Sequence, residues 1–271
     1  MGVWEKDISK IIKMLLNKYV DKSTLFLDIG ANLGVHGLYA AKLGFRVWAI
    51  EPQVSNLIKV SFLTKEFVKV SLQQINLFSI NKKNYFLFQM YRSANLSGIL
   101  PKIKFIQNGV DEDRRKAFIK INKGNNGASY VRLPENTANE SKYDQNLETV
   151  LLSDIIEAAT ITENPKQIVV KIDVELFECR VFLGSSSLFD PPQKVPITAI
   201  IMEWVFASLD GRFSEECPRE KVQRMTKMLL YAGYVPINTK DLSKLNYTKF
   251  GTDWRANVLW ILNTTNSIFR L

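Results

Sequence analysis

The chain has 271 residues but only two cysteines, one histidine and nine prolines. Cys179 and Cys217 cannot make the framework of a small disulfide-rich domain or a four-thiolate zinc site. With His36 the sole histidine, any centre needing two imidazoles is excluded, and a serine-histidine-aspartate triad would have to use that residue. No stretch approaches the roughly eighteen consecutive apolar residues of a membrane helix, so no transmembrane segment is expected. The opening Met1-Gly2-Val3-Trp4-Glu5-Lys6-Asp7 carries acids where an export signal needs a basic start and an apolar run, and Lys6 stands where a myristoylation signal has Ser or Thr. A cytoplasmic location is the resulting expectation. Four Asn-x-Ser/Thr triplets, at Asn95, Asn139, Asn246 and Asn263, would suit the secretory pathway if the true N-terminus were longer.

What remains is the composition of a globule: 46% hydrophobic and 23% charged residues. Residues 1–271 read as a single domain, with a leading helix within 1–23 and an irregular basic insertion or hairpin region over 66–150. The 36 Lys and Arg against 27 Asp and Glu leave a net charge of +9. That excess is local, because segment 53–132 holds fourteen Lys or Arg and only four Asp or Glu. A solvated face is the ordinary account of such a segment; an anionic substrate, an RNA or a membrane surface is the alternative.

Apolar positions 8, 11, 12, 15, 16 and 19 form a helical stripe. Leu25-Phe26-Leu27-Asp28-Ile29, then Gly30-Ala31-Asn32-Leu33-Gly34, then Val35 to Leu43 read as strand, glycine turn and helix. Arg46 to Ile50 is a second strand ended by Glu51-Pro52, and a helix is expected over about 55–65. Within the poorly patterned region a strand is placed at 102–107 and a hairpin at 117–121 and 128–133, with a polar, exposed stretch over 136–145. Ser153 is a candidate cap for a helix to Ala159. Strands at 167–173 and 197–202, helices at 174–183 and 218–232, and strands at 234–237 and 256–262 complete the series. Alternating strands and helices imply an α/β, Rossmann-like architecture built on a mostly parallel sheet with right-handed crossovers and helices on both faces.

In such sheets ligands bind beyond the carboxyl ends of the strands. Asp28, Glu51, Asp173 and Glu203 each stand at or near such an end. The glycine turn lacks the Gly-Lys-Ser/Thr of a P-loop, and Asn32 replaces the middle glycine of a dinucleotide turn. An acid suited to an ammonium (Asp28), glycines for close approach, and an acid 23 residues on for both hydroxyls of a ribose (Glu51) together describe S-adenosylmethionine.

Phe26-Leu27-Asp28-Ile29-Gly30-Ala31-Asn32-Leu33-Gly34, Ala49-Ile50-Glu51-Pro52 and Val170-Lys171-Ile172-Asp173-Val174-Glu175, followed by Phe177-Glu178, resemble the FkbM-type methyltransferases. The order agrees over about residues 24–262, including Met202-Glu203-Trp204 and Asn257-Val258-Leu259-Trp260. The resemblance implies a seven-stranded sheet with the last strand antiparallel, and O-methylation of a hydroxyl on a sugar or other small molecule. It implies that Asp28, Gly30, Ala31, Asn32, Gly34, Glu51 and Asp173 bind the cofactor. Asp173 and Glu175 are candidates to orient or deprotonate the acceptor, and Glu203 to close the pocket. His36, in the first turn after the glycine loop, is a further candidate base or a packing residue. Leu176 departs from the glycine usual in the family, which bears on how that turn closes and where Glu175 lies. Two acids on adjacent strands leave a Mg²⁺ ligand set incomplete, so no metal is expected. The competing readings are an RNA-modifying methyltransferase using segment 53–132 and a catalytically impaired cofactor-binding homologue.

Overall fold

A computed structural model describes residues 5–18, 23–52, 85–120, 130–132, 145–190, 192–206, 213–254 and 256–263. The leading helix α1 (Lys6–Lys18) precedes β1 (Thr24–Ile29), α2 (Val35–Lys42) and β2 (Arg46–Ile50). Then come α3 (Tyr85–Leu96), β3 (Ile103–Ile106), β4 (Gly109–Val110), β5 (Lys116–Lys120), β6 (Tyr130–Arg132) and β7 (Gln145–Val150). The C-terminal part holds α4 (Leu152–Glu163), β8 (Gln167–Ile172), α5 (Glu178–Gly184), β9 (Ile197–Trp204), α6 (Arg219–Tyr231), β10 (Tyr234–Asn238) and β11 (Ala256–Leu262).

Seven strands form one sheet in the order β10-β11-β9-β8-β1-β2-β3. Pairing is parallel from β3 through β9, and β11 runs antiparallel to both β9 and β10. The fold is therefore α/β and Rossmann-like, as the alternation led one to expect, and its last strand is antiparallel, as the resemblance implied. The central strands are short apolar runs because both faces are covered. Along β1, Leu25, Leu27 and Ile29 join a core with α4, α5 and α6, while Phe26 faces the opposite core with α1, α2 and α3. A helix layer thus stands on each side of the sheet, and the carboxyl ends of β2, β1, β8 and β9 lie side by side at one edge.

The irregular region resolves into recognisable pieces. The expected hairpin is present, with β5 antiparallel to β6, and β7 pairs with β5 to extend it into a small second sheet of order β4-β7-β5-β6. Tyr85 begins a helix, α3, that the aromatic run Tyr85-Phe86-Leu87-Phe88 gave no periodic sign of. Ser153 is not the cap of α4: the Asp154 carboxylate accepts the Leu151 N–H at 3.0 Å instead. The expected helix over 174–183 starts only at Glu178, because Glu175 and Leu176 take left-handed backbone, φ 52° and 77°. The helix expected over 55–65 and the polar stretch 136–145 fall almost wholly outside the described residues.

Cys179, one residue into α5, is joined to Cys217, just before α6, by a buried disulfide. The bond closes a loop of sequence separation 38, which in the chain-entropy picture corresponds to about 4 kcal/mol. Reduction, or the paired replacement C179A/C217A, is expected to lower Tm by on the order of 10 °C. Thermal melts with and without dithiothreitol check this; an unchanged Tm in both would show the bond to be dispensable.

Candidate functional site

β1 ends in a loop whose geometry depends on two glycines. Gly30 and Gly34 have φ of 73° and 74°, and Asn32 also lies in the left-handed region at 51°. A Cβ on Gly30 would collide with the carbonyl oxygen of Asp173, so only glycine lets this loop pass so close to the end of β8. The loop is tied to the neighbouring strand by Gly30 N–H and Ala31 N–H, which both donate to the Ile50 carbonyl, at 2.9 and 3.0 Å.

Asp28 lies beneath this loop rather than at its surface. Its side chain is fully buried, and one carboxylate oxygen accepts the Gly37 N–H at 2.8 Å. Gly37 belongs to the first turn of α2, whose amides have no partner within the helix, so Asp28 caps from below and favours the positive end of the helix dipole. Its other oxygen is 3.9 Å from the Lys171 ammonium. Lys171 also donates to Asp173 at 3.1 Å and to the Gly30 carbonyl at 3.4 Å. Burial works against the charge on Lys171, but Asp173 and Asp28 outweigh it and hold the ammonium above its ordinary value.

On the β2 side, Glu51 is buried and accepts the Asn32 N–H at 2.9 Å. The Asn32 side-chain oxygen is buried without a hydrogen-bond partner. The loop therefore presents a polar atom whose partner must come from elsewhere, beside an acid fixed at its neck.

On the β8 and β9 side the expected acids do come together, and they bring one more. Glu203 shares a hydrogen bond with Asp173 across the adjacent strand ends, and Glu175 is close enough to feel both Asp173 and Lys171. Glu178, quoted in the sequence pattern but given no role there, is the addition. It is completely buried, accepts the Val174 N–H at 2.8 Å through one oxygen and leaves the other without a partner. Oxygens of Asp173, Glu178 and Glu203 lie within 4.8 Å of one another. Desolvation, reinforced by the neighbouring carboxylates, pushes Glu175 up to about 7, Glu178 up to about 8 and Glu203 up to about 9. In a regular helix starting at Val174, Asp173 and Glu178 would point about 140° apart. The left-handed turn at Glu175 and Leu176 is what folds Glu178 back, at about 1–2 kcal/mol of backbone strain for each non-glycine residue.

Other sequence candidates are occupied. The His36 Nε2 lies 2.9 Å from the Glu5 carboxylate, which that hydrogen bond holds below its usual range. In the basic segment, Arg114 makes a two-pronged pair with Asp154 at 2.9 and 2.5 Å, Arg115 pairs with Asp111 at 2.8 Å, and Lys104 with Glu163 at 2.5 Å. Trp204 and Trp260 are buried and pack with Trp254, as core rather than stacking platforms.

No protein-family model and no curated protein sequence matches the chain. Among solved structures, it is similar to the methyltransferase FkbM from Methylobacillus flagellatus KT, with 15% identity and a TM-score of 0.44 over 88% of this chain and 44% of that one. The chain thus spans less than half the length of that protein. It is also similar to magnesium protoporphyrin IX methyltransferase from Synechocystis PCC 6803, solved with bound SAM, at 9% identity and a TM-score of 0.40 over 97% and 86% of the two chains. A third is precorrin-6y C5,15-methyltransferase from Geobacter metallireducens GS-15, at 8% identity and a TM-score of 0.38 over 97% and 94%.

The raised carboxyls link stability to pH. Glu178 and Glu203 hold their protons to about 8 and about 9 when folded, against an ordinary value of 4.5. Between these limits the unfolded chain ionises first, so stability is full below 4.5 and is lost as pH rises towards 9. Glu203→Gln stays neutral and is expected to be more stable than the parent by on the order of 1–3 kcal/mol near pH 9, with little gain near pH 5. Melting curves across that range in chelator-treated buffer check this; a Tm difference independent of pH would contradict it.

Proposed function

We propose that the chain is an S-adenosylmethionine-dependent methyltransferase, acting on a hydroxyl of a sugar or other small molecule. The observation that carries this reading is the Gly30–Gly34 loop standing between Glu51 on one side and Asp173, Glu175 and Glu203 on the other. The residues present fit the cofactor: a ribose offers two hydroxyls to an acid placed as Glu51 is, and Asn32 has a buried oxygen in need of a donor. S-adenosylmethionine supplies an electrophilic methyl group on a sulfonium.

Gly30, Ala31, Asn32 and Gly34 would line the methionine part, and Glu51 would orient the ribose. Asp28 is reassigned from contact to support, since its carboxylate already serves Gly37 and Lys171. The transfer requires an acceptor oxygen held in line, so positioning accounts for most of the catalysis. Asp173, fixed by Lys171, orients the acceptor. Glu175 at about 7 is best matched to take a proton from it near neutral pH, whereas Glu203 at about 9 remains protonated and closes the pocket wall.

The competing readings draw less support. Arg114 and Arg115 of the basic segment already pair with Asp154 and Asp111, which lessens its claim to an RNA backbone. Leu176 adopts the left-handed backbone that a glycine would favour, so this turn forms without the glycine. Among the described residues no helix is long and apolar enough to cross a membrane. Against the cytoplasmic expectation, the Cys179–Cys217 bond favours an oxidising compartment.

Thermal melts with S-adenosylmethionine test this function. At a hundred times its Kd the cofactor is expected to stabilise the fold by about 2.7 kcal/mol, and Glu51→Ala to reduce that shift. No shift at millimolar cofactor with a folded protein would refute the reading, and an unchanged shift in Glu51→Ala would place the ribose elsewhere.

A further inference from the structure

Among the described residues, the carboxylates beyond β8 and β9 outnumber the cations that meet them. Asp173, Glu175, Glu178 and Glu203 gather there, and Lys171, a cation in contact with Asp173, is shared between Asp173 and Asp28. Oxygens of Asp173, Glu178 and Glu203 face one another within 4.8 Å. The second oxygen of the fully buried Glu178 has no hydrogen-bond partner there. A buried carboxylate oxygen left in this state costs free energy unless something charged or hydrogen-bonding meets it.

We infer that Asp173, Glu178 and Glu203 form a binding site for one hard divalent cation. Three oxygens within 4.8 Å of one another can all touch a single ion, because ligands on opposite sides of Ca²⁺ stand about 4.6–5.2 Å apart. Mg²⁺, with opposite ligands about 4.2 Å apart, would require a slight contraction. The donor set is all oxygen and all carboxylate, which selects Ca²⁺, Mg²⁺ or Mn²⁺ over the softer metals that prefer thiolate and imidazole. The protein contributes three ligands, leaving positions for water or an acceptor oxygen. Binding gives the unpartnered Glu178 oxygen its partner. The disulfide at Cys179 anchors the residue next to Glu178, so this ligand comes from a fixed position. The cation site itself requires nothing of the cofactor; only its use, holding and acidifying the acceptor hydroxyl, rests on the methyl-transfer reading.

Calorimetric titration of the cofactor-free protein with CaCl₂, MgCl₂ and MnCl₂, each alone and against NaCl at matched ionic strength, tests the site. At least one divalent ion is expected to bind with one-to-one stoichiometry and a Kd on the order of 10⁻⁴–10⁻³ M, raising Tm as it does so. Glu178→Gln and Glu203→Gln are each expected to weaken it by at least about tenfold, while Asp241→Asn, at an exposed acid outside the cluster, leaves it unchanged. Both cluster variants exchange a buried carboxyl for a neutral amide of the same size, so two chances of a folded variant are available. Absence of saturable binding by all three ions, or equal affinity in the parent and a folded cluster variant, would overturn the inference. Because no S-adenosylmethionine is present, these outcomes are read separately from the cofactor-induced melting shift.

Discussion

The Lys171 ammonium, buried between Asp28, Asp173 and the Gly30 carbonyl, is the contact on which the site's geometry depends. It joins β1 to β8 at their carboxyl ends, where the sheet's hydrogen bonding gives way to loops. Three separate pieces are held by this one cation. Asp28 is held beneath the first turn of α2, Asp173 is kept at the mouth of β8, and the loop starting at Gly30 is drawn against the neighbouring strand. A buried cation is tolerable only when fully paired, so the arrangement leaves little freedom for the loop to sit elsewhere.

Beyond this pairing the charge balance fails. Each added carboxylate, Glu175, Glu178 and Glu203, sits in a partly dry environment made more hostile by the others, which is why all three are raised. A fold selected for stability alone would place amides or apolar groups there. Two adjoining non-glycine residues in left-handed backbone add local strain at the same place. Destabilising features gathered at one sheet edge, while both cores are well buried, are what ligand binding would relieve.

Much of this was legible beforehand, for particular reasons. β1, β2, β8 and β9 announce themselves because buried parallel strands are short apolar runs, and each runs into an acid. The Gly30–Gly34 loop was readable because a strand, a glycine turn and an apolar helix follow without a break. Other features were hidden because they depend on distant partners. Glu178 joins the acids only through a turn that local periodicity reads as helix. Arg114 and Arg115 look like free positive charge until Asp154 and Asp111 are placed beside them. Cys179 and Cys217 belong to different elements, and only the packing of α5 near α6 brings them together. The start of α3 was hidden for another reason: a run of aromatic residues carries no helical period.

The central claim, that the loop between Glu51 and the acid cluster is a cofactor site, is tested most directly by a crystal structure grown with S-adenosylhomocysteine. The expected electron density lies along Gly30–Gly34, with the ribose hydroxyls on the Glu51 carboxylate and the sulfur turned towards Asp173 and Glu203. Density at another edge of the sheet, or a ribose out of reach of Glu51, would contradict it.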